Sequence, residues 1–201
     1  MEIVMKEKII LFDGTSLDGF VSCSTGEKAE WDVHDGMMTV VPGKGDIRSI
    51  YEYSDAHVHV EFNLPYMPEM TGQDRANSGV YVQGCYEIQV LDSSMNAHTN
   101  CCECGGIYEL ANPIKNMCKA PGEWQTYDII LRSARLNEDG SVKSHGIITL
   151  IHNGEVIHNN VILTSRTPGG CYRYIAERGP VMLQDHDCPV SYRNIWVQPL
   201  D

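Results

Sequence analysis

The sequence predicts an all-β protein in which two antiparallel sheets pack face to face as a sandwich or jelly roll. Asx-Gly dipeptides punctuate the chain at Asp13-Gly14, Asp18-Gly19, Asp35-Gly36, Asp139-Gly140 and Asn153-Gly154, and the segments between turns are short and rich in Val, Ile, Tyr and Trp. No segment carries ten or more residues of helical period between capping signals. A parallel α/β fold would need crossover helices, so many short strands and few helices favour the two-sheet solution. With 201 residues and 42% apolar content, the chain is expected to form a single domain over 1–201.

The first clear strand is His57–Asn63, where Val58, Val60 and Phe62 alternate with His57, His59, Glu61 and Asn63. Period-2 geometry sends the apolar set to a core and the polar set to the other side. Further strands are expected at 79–83, 86–91, 124–133, 181–186 and 190–198. Ile147–His158 reads as a hairpin, because Asn153-Gly154 supplies the positive φ angles of a type I′ turn. The stretch from about 92 to 122, with its cysteines and Asn112-Pro113, reads as long connections over one end or face.

Charge narrows the partners. Fifteen basic against 27 acidic residues give a formal net charge of −12, which repels phosphate backbones and anionic membrane surfaces. No apolar run approaches the roughly 20 residues that span a bilayer. The residues Met1–Lys8 lack the apolar stretch and cleavage site of a secretory signal, so the expectation is a cytoplasmic protein, or an exported one whose signal has been removed. Eight cysteines in a chain that can bury its own core are expected as reduced thiols.

Three segments, read in order, resemble the 3-keto-disaccharide hydrolase family. They are Leu11-Phe12-Asp13-Gly14-Thr15-Ser16-Leu17-Asp18-Gly19-Phe20; the run from Asn77-Ser78-Gly79-Val80-Tyr81-Val82-Gln83 through Tyr86–Asp92, Gly106-Ile107-Tyr108 and Gly122–Tyr127; and Leu183-Gln184-Asp185-His186 followed by Val190–Val197. Two departures stand out: Asn63 where many members carry Arg, and Asp187 where Gly is usual. The resemblance implies a concanavalin A-like jelly roll and sugar substrates whose C3 hydroxyl has been oxidised to a ketone. It also implies a partner oxidoreductase that makes them.

A C3 ketone acidifies the C2 proton, so a base can start elimination of the C1 substituent, and water then adds to the enone. Such a route needs a base, a proton donor for the leaving oxygen and a donor at the ketone. His186 is the leading base, since imidazole exchanges protons near neutral pH, and Glu87 is the second candidate as base or acid. Glu87 and Gln89 share one side of their strand, Gln184 and His186 alternate likewise, and Tyr81 pairs with Gln83. Gln184, Arg193 and Asn77 are candidates for the ketone or its neighbouring hydroxyls, and Trp124 or Tyr81 for stacking on a sugar face. Against each stands a structural role: a salt-bridged Glu87, a His186 fixed in a turn, a strand-pinning Arg193, a turn-forming Asn77, a core Trp124.

An ordinary glycosidase is the alternative enzyme, with Glu61 and Glu87 as paired carboxylates roughly 5 to 9.5 Å apart. A non-catalytic carbohydrate-binding module is the alternative outside catalysis, because the same jelly roll serves both. No organic cofactor is expected. A divalent ion on Glu87, Asp185 and His186 is an open possibility, as is zinc on His98, Cys101, Cys102, Cys104 and Cys118.

Overall fold

Strand parity decides the architecture. In the computed structural model, which describes residues 6–200, the apolar positions of each long strand turn to a shared interior. In chain order the strands are β1 (Ile9–Phe12), β2 (Phe20–Ser22), β3 (Asp32–His34), β4 (Met37–Thr39), β5 (Ile47–Tyr53), β6 (Ala56–Asn63), β7 (Ser78–Val82) and β8 (Tyr86–Val90). They continue as β9 (Trp124–Arg132), β10 (Arg135–Leu136), β11 (Val142–Ser144), β12 (Gly146–His152), β13 (Glu155–Leu163), β14 (Gly179–Leu183) and β15 (Ser191–Pro199). A 3-10 turn at Gly72–Asp74 is the one helical element among the described residues. None of their helices is long and apolar enough to cross a membrane.

The larger sheet has the order β13-β12-β9-β6-β15-β4-β3, with β1 added beside β15. The smaller has the order β2-β5-β14-β7-β8, and every pairing is antiparallel. Between them lie Val58, Val60, Phe62, Tyr127, Ile129 and Leu150 from the larger sheet and Val80, Val82, Ile88, Val90, Val181 and Leu183 from the smaller, all fully buried. Each such side chain contributes roughly 1.5–3 kcal/mol of hydrophobic stabilisation. The all-β sandwich read from the sequence is therefore the observed fold.

The hairpin at 147–158 forms as expected: Asn153 and Gly154 have φ of 51° and 85°, and His152 pairs with Glu155 across them. Two expectations need correction. β14 stops at Leu183, so Gln184–His186 leave the sheet as an irregular rim, although the Gln184 amide still donates to the Gly79 carbonyl at 3.0 Å. Gln83 does not follow Tyr81 outward. It takes a φ of 52° in the β7–β8 turn, and its Nε2 donates to Ser133 Oγ at 2.6 Å inside the protein.

Candidate active site

The outward positions of the smaller sheet form two cross-strand rows. Tyr81 of β7 pairs with Glu87 of β8, and the bridge Ile88–Ile107 sets Tyr108 opposite Glu87 on the far side, where the Tyr108 amide donates to the Glu87 carbonyl at 3.1 Å. One step along, Gly79 pairs with Gln89, and the Gln89 amide donates to the Gly106 carbonyl at 2.9 Å. Tyr81, Glu87 and Tyr108 thus stand side by side, and Gln89 lies between two glycines. Gly79 has no substitute: a Cβ there would lie 2.5 Å from Glu87 Oε1 and 2.9 Å from Tyr81 Cε2.

Over these rows sits a cavity of about 220 Å³ lined by Gln73, Asn77, Tyr81, Glu87, Gln89, Tyr108, Pro168, Gly169, Gln184 and His186. Tyr81 is fully buried and donates its hydroxyl hydrogen to Glu87 Oε2 at 2.8 Å, with the Pro168 carbonyl 3.1 Å from the Tyr81 hydroxyl oxygen. Glu87 is 4% exposed, and its amide donates to Thr167 Oγ1 at 2.8 Å. Burial raises the Glu87 carboxyl to about 7, against the Tyr81 hydrogen bond, and the negative charges of Asp46 and Glu109 add to the rise. The same burial and the facing Glu87 push the Tyr81 phenol well up.

The amides of the cavity share one polarity. Asn77 Nδ2 donates to the Gln73 carbonyl at 2.7 Å, Gln73 Nε2 to the Cys102 carbonyl at 2.8 Å, and Gln89 Nε2 to Gln73 Oε1 at 2.9 Å. With their nitrogens tied down, Asn77 Oδ1, Gln89 Oε1 and Gln184 Oε1 are buried without a hydrogen-bond partner. Orphaned buried acceptors are costly unless a ligand supplies donors. Gln184 Nε2 turns onto the Tyr81 hydroxyl at 3.4 Å.

His186 is exposed at the mouth. Its turn is held by Asp185, whose Oδ2 accepts from the Gly45 amide at 2.8 Å and Oδ1 from the Asp187 amide at 3.1 Å. Asp185 therefore turns away from the cavity. Asp187 has a φ of 58°, a left-handed conformation that glycine adopts without strain.

Of the nine residues chosen from sequence, six line the cavity: His186, Glu87, Asn77, Tyr81, Gln89 and Gln184. The other three, Trp124, Arg193 and Glu61, lie on the outer face of the larger sheet, across the full thickness of the sandwich. Glu61 alternates with the buried Val60 and Phe62, and Trp124 with the buried Gln125, so both point away from the interior and from β8. Arg193 pairs with Glu61 across β15 and β6, its Nε 2.6 Å from Glu61 Oε2, and its guanidinium lies 4.0 Å from the Trp124 ring centroid. These three form a structural cluster, and Glu61 and Glu87 cannot flank one glycosidic bond.

The structure adds Gln73, Tyr108, Pro168 and Gly169. Tyr108 was visible in the motif Gly106-Ile107-Tyr108, whose alternation marks an outward position; the others sit in irregular segments that carry no period. The cysteines do not build a zinc centre. Cys104 Sγ lies 3.2 Å from Tyr127 Oη, and Cys118 Sγ faces the carbonyls of Leu91 and Lys119. Among the described residues no three His, Cys, Asp or Glu side chains group to hold a metal ion. The cysteines described are free thiols.

A family model described as 3-keto-alpha-glucoside-1,2-lyase-like domain matches residues 7–198. The chain belongs to this family. A candidate glycosyl hydrolase of Parabacteroides distasonis ATCC 8503 is 40% identical to this lyase-like chain, with a TM-score of 0.86 over 96% of it and 84% of the other. A second candidate glycosyl hydrolase of that organism is 18% identical, with a TM-score of 0.72 over 96% and 94% of the two chains. The alginate lyase Aly36B, 8% identical, has a TM-score of 0.52 over 98% of each chain and shares the fold alone. No curated protein matches the chain.

Proposed function

We propose that this protein cleaves the glycosidic bond of 3-keto-glycosides by removing the C2 proton and eliminating the C1 substituent, followed by addition of water. The observation that carries the reading is Glu87, a buried carboxyl raised to about 7 on the floor of a cavity of about 220 Å³ whose free amide oxygens seek hydroxyl donors. A cavity of that size suits one sugar ring, and acceptors at Asn77, Gln89 and Gln184 suit its hydroxyls.

The order of burial favours Glu87 at the ring and His186 at the leaving group, the reverse of what imidazole chemistry alone predicts. The Glu87 carboxylate takes the C2 proton, and the C–H pair becomes the C2–C3 double bond of an enolate as the carbonyl pair moves onto O3. The enolate then re-forms the ketone, its pair makes the C1–C2 double bond, and the C1–O bond breaks. His186 gives its proton to the departing oxygen. Water adds its oxygen at C1, passing a proton to His186, while Glu87 returns its proton to C2; the net reaction consumes one water.

The experiment compares a 3-keto disaccharide with its unoxidised parent, for the native protein, Glu87→Gln and His186→Ala. Cleavage of the keto sugar alone, lowered at least a hundredfold by Glu87→Gln, is expected. Cleavage of the parent sugar would overturn the elimination route. Binding of either sugar without turnover would leave a carbohydrate-binding module.

A further inference from the structure

Elimination from a 3-keto sugar needs a hydrogen-bond donor where negative charge gathers on O3, and most of the donors in the cavity are spent. The nitrogens of Asn77 and Gln89 each make two bonds to oxygens, Gln73 Nε2 gives one hydrogen to the Cys102 carbonyl, and the Tyr81 hydrogen is bonded to Glu87 Oε2. Gln184 Nε2 is turned down onto the Tyr81 hydroxyl. His186 stands at the mouth, where the leaving oxygen departs. Arg193, an obvious cation for an oxyanion, is on the far face of the sandwich.

That leaves Tyr108. Its hydroxyl's side-chain partner is the Cys102 thiol, a weaker acceptor than an oxygen. Its place in the sheet matters more. The Ile88–Ile107 bridge and the Tyr108 amide bond to the Glu87 carbonyl make Tyr108 and Glu87 direct cross-strand neighbours on the outward face. Directly opposed side chains start about 5 Å apart. C2 and C3 are adjacent carbons, so the group that takes the C2 proton and the group that meets O3 must themselves be neighbours. Tyr81, the other cross-strand neighbour of Glu87, already gives its hydrogen to Glu87 Oε2.

We infer that the Tyr108 hydroxyl is the donor that meets the C3 carbonyl oxygen and holds the enolate as Glu87 removes the C2 proton. The assignment rests on the elimination reading above. The phenol keeps its hydrogen throughout: it strengthens a hydrogen bond as charge builds on O3 and relaxes when the ketone returns.

The test is Tyr108→Phe, which deletes one oxygen from a half-exposed side chain, with unchanged melting temperature as the control for folding. Two substrates are used: a 3-keto disaccharide, and a 3-keto sugar lacking a C1 substituent, for which only deuterium exchange at C2 is observable. Loss of one such donor is expected to lower kcat about 100- to 1,000-fold with KM within threefold, and to lower C2 exchange by the same factor. A Tyr108→Phe protein within threefold of the native protein in both rates, with the native protein active, would overturn the role of Tyr108 and leave the elimination reading intact. A rise in KM with unchanged kcat would also overturn it, assigning Tyr108 to ground-state binding. A native protein that neither cleaves the disaccharide nor exchanges C2 would overturn the elimination reading itself.

Discussion

Arg193 lies over Trp124, its guanidinium carbon 4.0 Å from the ring centroid, while its Nε donates to Glu61 on the neighbouring strand. The contact belongs to the outer face of the larger sheet, where it ties β6, β9 and β15 together on the side away from the cavity. Trp124→Ala and Arg193→Ala are each expected to lower stability by about 1–2 kcal/mol in denaturant titrations while kcat on a 3-keto disaccharide stays within twofold. A hundredfold loss of kcat in either variant would refute the division of the molecule into a structural and a catalytic face.

Glu87 makes stability depend on pH. Its carboxyl holds a proton up to about 7 when folded and, at the ordinary 4.5, releases it when unfolded. The stabilisation from keeping that proton is complete below 4.5 and is lost as pH rises through about 7, an amount of roughly 3 kcal/mol. Glu87→Gln is therefore expected to melt higher than the native protein at pH 8 and to show a smaller advantage at pH 5. Parallel melting curves across that range would mean the carboxyl is not held neutral.

The same group shapes the activity profile. The charged or titratable neighbours acting on Glu87 are Tyr81 through its hydrogen bond and Asp46 and Glu109 through their charges, with Tyr108 on the adjoining strand. As base, Glu87 must be ionised, so kcat/KM is expected to rise through about 7. Asp46→Asn keeps an oxygen for the Asp185 amide but removes a charge that raises Glu87, and is expected to move this limb to lower pH. A limb that stays in place in Asp46→Asn would assign it to another group.

Gly79→Ala tests the floor of the cavity. The added methyl would start 2.5 Å from Glu87 Oε1, and the carboxylate, the movable partner, must shift. Turnover is expected to fall at least a hundredfold, since misplacement of about 1 Å at a reacting group costs that much. Far-ultraviolet circular dichroism should be unchanged.

Asp187→Gly removes backbone strain. With a φ of 58° and only its own amide engaged, Asp187 gains nothing from its Cβ, and glycine is expected to stabilise by roughly 0.5–1 kcal/mol in urea titrations. A destabilised variant would show that the carboxylate has a role in the rim.

Much of this was legible in the sequence because a strand with one buried side writes its orientation into every second residue. Glu87 and Gln89 between Tyr86, Ile88 and Val90, and Glu61 among Val58, Val60 and Phe62, were assigned to outward positions correctly. The alternation does not say which sheet a strand joins, so Glu61 and Glu87 looked alike although they face opposite directions. Trp124 and Arg193 were misjudged for the same reason. β5 went unnoticed because Arg48 and Glu52 interrupt it and a serine, Ser49, fills one of its buried positions. Gln73 and Gly169 lie on segments shaped by tertiary contacts, which leave no periodic trace.

The parity of β8 also limits how such a protein can change over evolutionary time. Glu87 and Ile88 are adjacent residues with opposite surroundings, one the cavity and the other the hydrocarbon interior. Inserting or deleting one residue in that strand would exchange them, pressing a carboxylate into the core and presenting a bare isoleucine to the cavity. Novelty in this scaffold must arise by point replacement on the outward rows, or by lengthening the segments around Gln73 and Gly169, where length carries no parity.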